Sequence, residues 1–357
     1  MNFLAMDKDS KITINDVALA AGVSKGTVDR VLHNRGEVSR KSREKVMRVI
    51  DELGYKPNLY ASVLASRRLQ KIVCIIPEYS PGEFWELTAR GIRSGQEKSS
   101  VFGVKVETVQ YDQYDVESFI SACRRTLEIG PSGVILAPMF RAETLKFVGE
   151  LREKGIYYMY IDSRLDDDGY MAYFGMPMYQ SGYLCADILT WGRPVSKVHV
   201  IRIARDKRGL SDPTVSRRVG FMDYMAENRP ECQVDNVFIN PKDTGDIYAR
   251  LDALFAADQD PEKYIVMFNS RIHLVADYLK HRDIHTCRVV GFDVLEKNMQ
   301  AMREGYVQML IAQHSDLQAE AAISAMADRL LIGKPVARRD NYTQMDIINR
   351  YNCDYYL

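Results

Sequence analysis

From Lys71 onward, short apolar runs alternate with longer segments whose apolar residues recur every three to four positions. The apolar runs predict strands over residues 71–77, 104–110, 132–138, 157–162, 197–203, 233–239, 264–269, 288–293 and 307–313. The amphipathic segments predict helices that begin near Phe84, Val116, Ala142, Tyr179, Val215, Gly245, Arg271 and Leu317. Strands that alternate with helices form parallel sheets with helices on both faces. We therefore expect an α/β body made of two doubly wound parallel-sheet lobes.

Residues 12–33 follow a different pattern, in which two short helical periods are separated by a glycine. Thr13 and Asp16 form the capping box of a first helix. Small apolar residues occupy one face of this helix: Val17, Ala18, Ala20 and Ala21. Gly22 supplies the left-handed backbone of a tight turn, Val23 fills the angle between the helices, and Ser24 caps a second helix. This order is typical of a helix-turn-helix, an all-α unit whose second helix lies in the DNA major groove.

The second helix, over about residues 25–32, has an apolar inner face and a polar outer face. Its inner residues are Thr27, Val28, Val31 and Leu32. Its outer residues, which a recognition helix would present to base edges, are Lys25, Gly26, Asp29 and Arg30. Ser39 then opens a third, basic helix that Gly54 ends. An ordinary helical hairpin is the alternative, but both caps, the turn glycine and the packing valine fall at the right spacing together.

A further short helical period follows Pro57. Asn58 can cap it, and Ala61, Leu64 and Ala65 give it an apolar edge too narrow to pack a domain alone, so that this helix needs a partner. With these motifs, residues 11–357 resemble the lactose-repressor (LacI/GalR) family of transcription regulators. The resemblance implies a DNA-binding headpiece over residues 11–57, a hinge helix and linker over 58–70, and an effector-binding body over 71–357.

The resemblance also implies the lobes, the assembly and the DNA contacts. The first lobe would comprise about residues 71–174 and 311–334, and the second about 175–308 and 335–357. The chain would bind a pseudo-palindromic operator as a homodimer, with Leu64 wedged into the minor groove. The residues expected at the DNA are Thr13, Ser24, Lys25, Gly26, Thr27, Asp29, Arg30, Asn34, Asn58, Ala61 and Leu64.

The charge distribution agrees with a DNA-binding N-terminal end. Residues 1–70 hold 13 Lys and Arg against 8 Asp and Glu, whereas the whole chain holds 48 of each, so the remainder is acidic. The six cysteines are far apart and form no CxxC pair, which argues against a disulfide framework or a zinc cluster and for a reducing cytoplasm. The N-terminus lacks the pattern of a signal peptide and no stretch approaches transmembrane length, so we expect a cytoplasmic protein with no membrane partner.

Polar side chains end several predicted strands of the body, at the edge where doubly wound sheets bind ligands. The candidate ligand residues are Phe84, Trp85, Asp162, Arg217, Asn269, Asp293 and Gln313. Aromatic rings beside carboxylate, guanidinium and amide groups suit a sugar ring and its adjacent hydroxyls. The body also resembles the pentose- and hexose-binding branch of the periplasmic-binding-protein type I fold, in which these positions hold the ligand.

Three departures from those sugar-binding relatives bear on the ligand. The relatives often have Asn-Pro before the aromatic pair, where residues 80–83 here are Ser-Pro-Gly-Glu, so a hydroxyl contact is lost or is replaced by the Glu. An Arg usually follows the Asp of the fourth strand, but here Ser163 takes that place and Arg164 comes one position late. Ser270 stands where an Asp is common. Each strand-end Asp or Asn also has a structural alternative, because such residues commonly cap the next helix.

Enzyme and metal-site hypotheses fit this sequence less well. The run 166–168 of three Asp precedes a Gly and is typical of a solvated turn, and His281, His285 and Cys287 lack the spacing of a zinc site. Asp162 and Asp293 could be the acid and base of a glycosidase, but a site that clamps a sugar needs the same residue types. We expect no catalytic residues, no metal and no cofactor.

Two alternatives of the binding class remain. A secreted sugar-binding protein would share the body, but such a protein would not need a DNA-binding headpiece, so the headpiece argues against this alternative. The other is a regulator of the same class with a nucleoside or polyol effector, since Phe84 and Trp85 would stack on a purine as readily as on a pyranose. The sequence favours a repressor, and it leaves open the operator and whether the effector releases DNA or promotes its binding.

Overall fold

The computed structural model describes residues 12–32, 36–55, 69–203 and 214–356. The chain divides into two compact units, residues 1–67 and residues 68–357. Four of the predicted DNA-binding residues lie outside the described ranges, namely Asn34, Asn58, Ala61 and Leu64. The predicted junctions between headpiece, hinge helix and linker fall largely outside them as well, and these limits stay predictions.

Three helices form the N-terminal unit, as the sequence predicts: α1 (Ile14–Ala21), α2 (Lys25–Leu32) and α3 (Arg40–Leu53). Thr13 donates its backbone N–H to the Asp16 carboxylate at 2.8 Å and accepts the Asp16 N–H, which closes the capping box. Gly22 ends α1 with a φ of 60°. Thr27 donates its backbone N–H to the Ser24 hydroxyl at 3.2 Å, so the second cap is also formed.

Small apolar side chains make the core of this unit. The buried residues are Val17, Ala18, Ala21, Val28, Val31, Val46 and Val49. Ala20 was expected on the same face, but it is exposed. The helix turns by about 100° per residue, so position 20 lies on the opposite side of Val17 from Ala18, beyond the buried stripe.

Twelve strands in the described part of the chain build the body. They are β1 (Gln70–Pro77), β2 (Val104–Tyr111), β3 (Gly133–Leu136), β4 (Tyr157–Asp162), β5 (Ala172–Gly175), β6 (Lys197–Ile203), β7 (Gln233–Ile239), β8 (Lys263–Met267), β9 (Cys287–Phe292), β10 (Met309–Ala312), β11 (Asp340–Tyr342) and β12 (Asp346–Ile348). They form two six-stranded sheets, ordered β11-β5-β4-β3-β1-β2 and β12-β10-β9-β8-β6-β7. Every strand pair is parallel except β10 with β12.

Helices cover these sheets. They are α4 (Phe84–Ser100), α5 (Val116–Ile129), α6 (Arg141–Glu153), α7 (Met178–Thr190), α8 (Val215–Asn228), α9 (Thr244–Ala257), α10 (His273–His281), α11 (Glu296–Arg303) and α12 (Ser315–Ile332), and a 3₁₀ turn follows at Cys353–Tyr355. The predicted α/β fold with a helical headpiece is confirmed. Among the described helices, none combines the length and apolar character that crossing a bilayer requires.

The predicted limits of the two lobes differ from the pairing of two short strands at the C-terminal end. Residues 311–334 were expected in the first lobe, and α12 does pack in the core of that lobe through Ala319, Ala322 and Ile323, but β10 ends at Ala312 and pairs with β9 in the second sheet. Residues 335–357 were expected in the second lobe, and β12 pairs with β10 there, but β11 pairs with β5 in the first sheet. The chain therefore crosses between the lobes after β5, after β10 and between β11 and β12, because hydrogen-bond pairing rather than strand order decides the sheet.

Candidate functional site

All seven predicted ligand residues line one cavity between the two lobes of the body, with a volume of about 320 Å³. Phe84, Trp85 and Asp162 come from the first lobe, Arg217, Asn269 and Asp293 from the second, and Gln313 follows β10 at a crossover. This is the edge where parallel strands end and ligands bind in such sheets. The volume suits a ligand of the size of one sugar ring.

Two strand-end carboxylates lie at the base of this cavity in left-handed backbone conformations, with φ of 64° at Asp162 and 70° at Asp293. The Tyr173 hydroxyl donates to the Asp162 carbonyl at 2.8 Å, and the Asn298 amide donates to the Asp293 carbonyl at 3.1 Å. Neither carboxylate caps a helix, since the next N-caps are Pro177 and Leu295. The helix-capping alternative is therefore wrong for both. Non-glycine residues held in such conformations are typical of functional sites.

Burial dominates the electrostatics of these carboxylates. It raises the pKa of Asp162 to about 7 and that of Asp293 to about 6, and the nearby Arg217 partly opposes both shifts. Asp293 raises the pKa of Asp162 further, whereas the hydrogen bond from Gln313 lowers that of Asp293. Burial also lowers the pKa of Arg217. In the part of the chain that the structure describes, neither Asp forms a direct ion pair with Arg217.

Arg217 is buried on α8 and held mainly by protein atoms. Its Nε donates to the Ser181 hydroxyl at 3.0 Å, and its Nη1 donates to the carbonyl of Phe268. Its Nη2 points at two methionine sulfurs at 2.9 and 3.2 Å, and its guanidinium lies 3.8 Å above the centre of the Phe292 ring. These contacts fix the position of the positive charge and leave few of its N–H groups for a ligand.

Gln313 connects the cavity to the crossover strands. Its Nε2 donates to the Asp293 carboxylate at 2.8 Å, and its Oε1 is buried without a partner. Its backbone carbonyl accepts hydrogen bonds from Gln318 at 2.6 Å and from Thr343 at 2.9 Å. Thr343 lies between β11 and β12, so the backbone at Gln313 is bonded to another crossover of the chain.

The remaining predicted residues occupy the walls. Phe84 and Trp85 begin α4 and meet edge to face, with ring centres 5.0 Å apart. Asn269 accepts the backbone N–H of Arg271 through its side-chain oxygen at 3.0 Å, so it shapes the local turn. Asn269 also lines the cavity, and its side-chain amide nitrogen can donate a hydrogen bond to a ligand.

Sequence reasoning missed several residues at the mouth of the cavity, including Arg271, His273 and Lys297. Arg271 lies 3.6 Å from Glu83 of the opposite lobe, an ion pair that spans the mouth. Burial lowers the pKa of His273, and its Nδ1 lies 3.1 Å from the Asn298 amide oxygen. The sequence feature that could have predicted these three residues is their position, since each lies within four positions after a predicted strand-end residue.

The acidic run and the histidine pair have ordinary structural surroundings. Asp167 accepts hydrogen bonds from the hydroxyls of Tyr158 and Tyr160, both at 2.5 Å, and from the Gly169 N–H. His285 faces the Asp283 carboxylate at 3.1 Å. Across the described ranges, no group of three or more His, Cys, Asp or Glu is placed to hold a metal ion.

In the N-terminal unit, the start of α2 presents its polar side chains to solvent. Thr13, Ser24, Lys25, Gly26 and Arg30 are exposed, whereas Thr27 and Asp29 are half-buried. A Cβ added at Gly26 would lie 4.0 Å from Nη2 of Arg30, so the guanidinium lies beside the glycine. Lys25 in the first turn of α2 and Arg30 in its last turn are exposed cations that can approach nucleic acid.

Asp162→Asn is expected to stabilise the ligand-free protein above about pH 7 by roughly 2–4 kcal/mol. The folded carboxyl has its pKa raised to about 7, so the cost of burying its charge is absent below the unfolded pKa, grows as the pH rises from there to the folded pKa, and is complete above it. Urea unfolding at acidic and at alkaline pH would measure this. Equal stabilisation at both pH values would show that charge burial is not the cause.

Comparison with known proteins places this architecture in a class. The model of the periplasmic binding protein domain matches residues 72–335, and that of bacterial regulatory proteins of the lacI family matches residues 13–58. The first defines the body as a two-lobed ligand-binding domain. The second defines the N-terminal unit as a regulatory helix-turn-helix, as the sequence predicts.

Particular relatives agree with this. A crystal structure described as a LacI transcriptional regulator from Bacteroides fragilis is 31% identical, with a TM-score of 0.76, and the match covers 81% of this chain and 100% of that one. The chain belongs to the LacI family. The regulator DegA of Bacillus subtilis is 36% identical over 117 residues. That match covers 32% of this chain and 34% of DegA, so the chain spans only about a third of the length of this relative. GanP, a glucose-galactose binding protein of Geobacillus stearothermophilus, shares the fold at 16% identity and a TM-score of 0.68, over 80% of this chain and 99% of that one.

Proposed function

We propose that this chain is a sequence-specific DNA-binding transcription regulator whose operator affinity is controlled by a small polyhydroxylated effector in the inter-lobe cavity. One observation carries the proposal: a capped helix-turn-helix and a polar cavity between two lobes occur in one chain. We expect that the cavity binds its ligand without catalysis. Its buried polar groups are of the kind that recognise a ligand, and ligand binding alone is sufficient to regulate a DNA-binding headpiece.

The active form is proposed to be a homodimer on a pseudo-palindromic operator, with half-sites about one helical turn apart. An effector that contacts both lobes favours their closed arrangement by its differential affinity. In a dimer, closure would alter the pairing of the hinge helices and couple effector to operator by a typical ~1–3 kcal/mol. Leu64 is proposed to wedge into the minor groove at the operator centre.

The test is selection of an operator from a random duplex pool by the full chain, followed by binding titrations with and without candidate effectors. Nanomolar binding to a two-fold symmetric site, altered by a ligand that also raises the melting temperature of the chain, is the expected result. A chain that binds no duplex better than random DNA would refute the proposed function.

Arg30→Ala is expected to weaken operator binding by about 1–3 kcal/mol while changing binding to random DNA much less, if Arg30 makes a bidentate base contact. Fluorescence anisotropy on both duplexes measures the difference. Arg30→Lys is the matched variant, because it keeps the charge but loses the planar fork. Equal losses on both duplexes, with rescue by Lys, would restrict Arg30 to a phosphate contact.

A further inference from the structure

We propose that the effector is an amine-bearing sugar or polyol, whose protonated nitrogen faces the carboxylates of Asp162 and Asp293 at the cavity base. The inference rests on the proposed function, in that it takes the inter-lobe cavity as the effector site. Three properties of the base carry it: its charge balance, its unpaired acceptors and its size.

With both carboxyls ionised, the described residues of the base hold more negative than positive charge. Asp162 is 8% exposed and Asp293 and Arg217 are each 3% exposed, so two buried carboxylates face one buried guanidinium. A buried charge without a counter-charge is costly. Neither of these two described cations at the mouth compensates it, because Arg271 is paired with Glu83 and Lys297 is exposed to solvent. A ligand with one positive charge would balance the base.

The base also has more hydrogen-bond acceptors than donors. Among the described residues, none donates a hydrogen bond to the Asp162 carboxylate, and Gln313 Oε1 is buried without a partner. Asp293 accepts only the Gln313 amide through its carboxylate within the same ranges. Arg217 directs its Nε, Nη1 and Nη2 groups to protein atoms. A protonated amine supplies three donors and no acceptor, which matches this deficit.

Arg164 does not supply the missing cation. Its Nη1 donates to the Tyr170 hydroxyl at 3.0 Å, and its Nη2 lies 3.5 Å from Asp340. It is absent from the residues that line the cavity. Arg164 therefore brings no positive charge to the cavity base, and Ser163 beside Asp162 carries none.

The charge balance ranks three ligand classes. An amine-bearing ring both neutralises the base and donates to its carboxylates. A neutral sugar donates through hydroxyls but leaves the extra negative charge unbalanced. A uronate or sugar phosphate would bring a third negative charge and no donor at that group. We therefore expect affinity to fall in the order amine, neutral and acidic.

Calorimetric titration of the full chain near pH 7 tests this order. The probes are matched sets: hexoses and pentoses, their 2-amino and terminal amino derivatives, and the corresponding uronates and phosphates. The expected result is that the tightest ligand carries an amine and binds at least about tenfold more tightly than its neutral parent. A neutral or acidic tightest ligand, or no binding by any amine, would overturn the inference.

Two variants separate the charge effect from a fold effect. Asp162→Asn keeps the shape of the side chain and should reduce the amine advantage to near unity while the neutral parent still binds. Asp166→Asn removes one charge from a side chain that is 95% exposed, outside the cavity lining, and should keep the full advantage. An unchanged advantage in Asp162→Asn would refute the pairing of the amine with Asp162.

The two proposals fail in different ways. If a neutral sugar binds tightest and shifts operator affinity, the amine inference is wrong and the proposed function stands. If an amine binds tightly but leaves operator affinity unchanged, the amine inference holds and control of DNA binding through this cavity is wrong.

Discussion

Asp293→Ala is expected to abolish the effect of the effector on operator binding, through a loss of about 2–5 kcal/mol in effector affinity. The variant removes a carboxylate that is 3% exposed, leaves Gln313 Nε2 without its acceptor and leaves Arg217 with one counter-charge fewer. Operator affinity without effector should stay nearly unchanged, because Asp293 lies in the body and the recognition residues lie in the N-terminal unit. Anisotropy titrations with and without the best-binding ligand measure both quantities.

Asp293→Asn is the matched control for this prediction. The backbone at Asp293 has a φ of 70°, a conformation that Asn tolerates and Ala tolerates less well. Both variants remove the carboxylate and should lose the effector response, and the Ala variant should be about 1 kcal/mol less stable than the Asn variant. A full effector response in either variant would mean that the Asp293 carboxylate is not a ligand group. Reciprocity gives an independent check, since saturating operator must change effector affinity by the same factor.

Gly182→Ala is expected to lower the stability of the body by about 3 kcal/mol or more and to weaken effector binding with it. A Cβ at this position of α7 would lie 1.7 Å from the backbone carbonyl oxygen of Arg217 on α8. The clash is with backbone, so α8 must shift, and α8 carries the guanidinium of the cavity. Thermal unfolding and effector titration measure the two effects.

Gly149→Ala is the control for the clash. It lies within α6, and a Cβ there would meet no atom within 4 Å. Because Ala has a higher helix propensity than Gly, this change should be neutral or should stabilise the protein by up to about 1 kcal/mol. If the two variants unfolded at the same temperature, close packing at Gly182 would not be what fixes α8.

The amino-acid sequence determined the local structure closely. Each predicted helix of the body begins within two residues of its expected start, and the caps at Thr13, Gly22 and Ser24 are formed. Each predicted strand overlaps an observed one. These features depend on neighbouring residues, through side-chain capping, glycine backbone freedom and apolar periodicity. The sequence alone can therefore specify them.

The sequence did not predict β5, β11, β12 or α11, which are at most eight residues long. Strands of three or four residues carry too few side chains for a detectable alternation. They exist because a neighbouring strand supplies hydrogen-bond partners, as β5 does for β11. The same pairing placed β11 and the last two residues of β10 in the opposite lobes from those expected.

The sequence by itself determined seven residues that reach the cavity, because side chains that follow the ends of parallel strands converge at one sheet edge. Only the tertiary structure decided their charge balance. It turned Arg164 toward Asp340, committed Arg217 to Ser181 and Phe268, and paired Arg271 with Glu83. These partners lie 36 to 188 positions apart, so their distances depend on packing between helices and sheets rather than on local sequence.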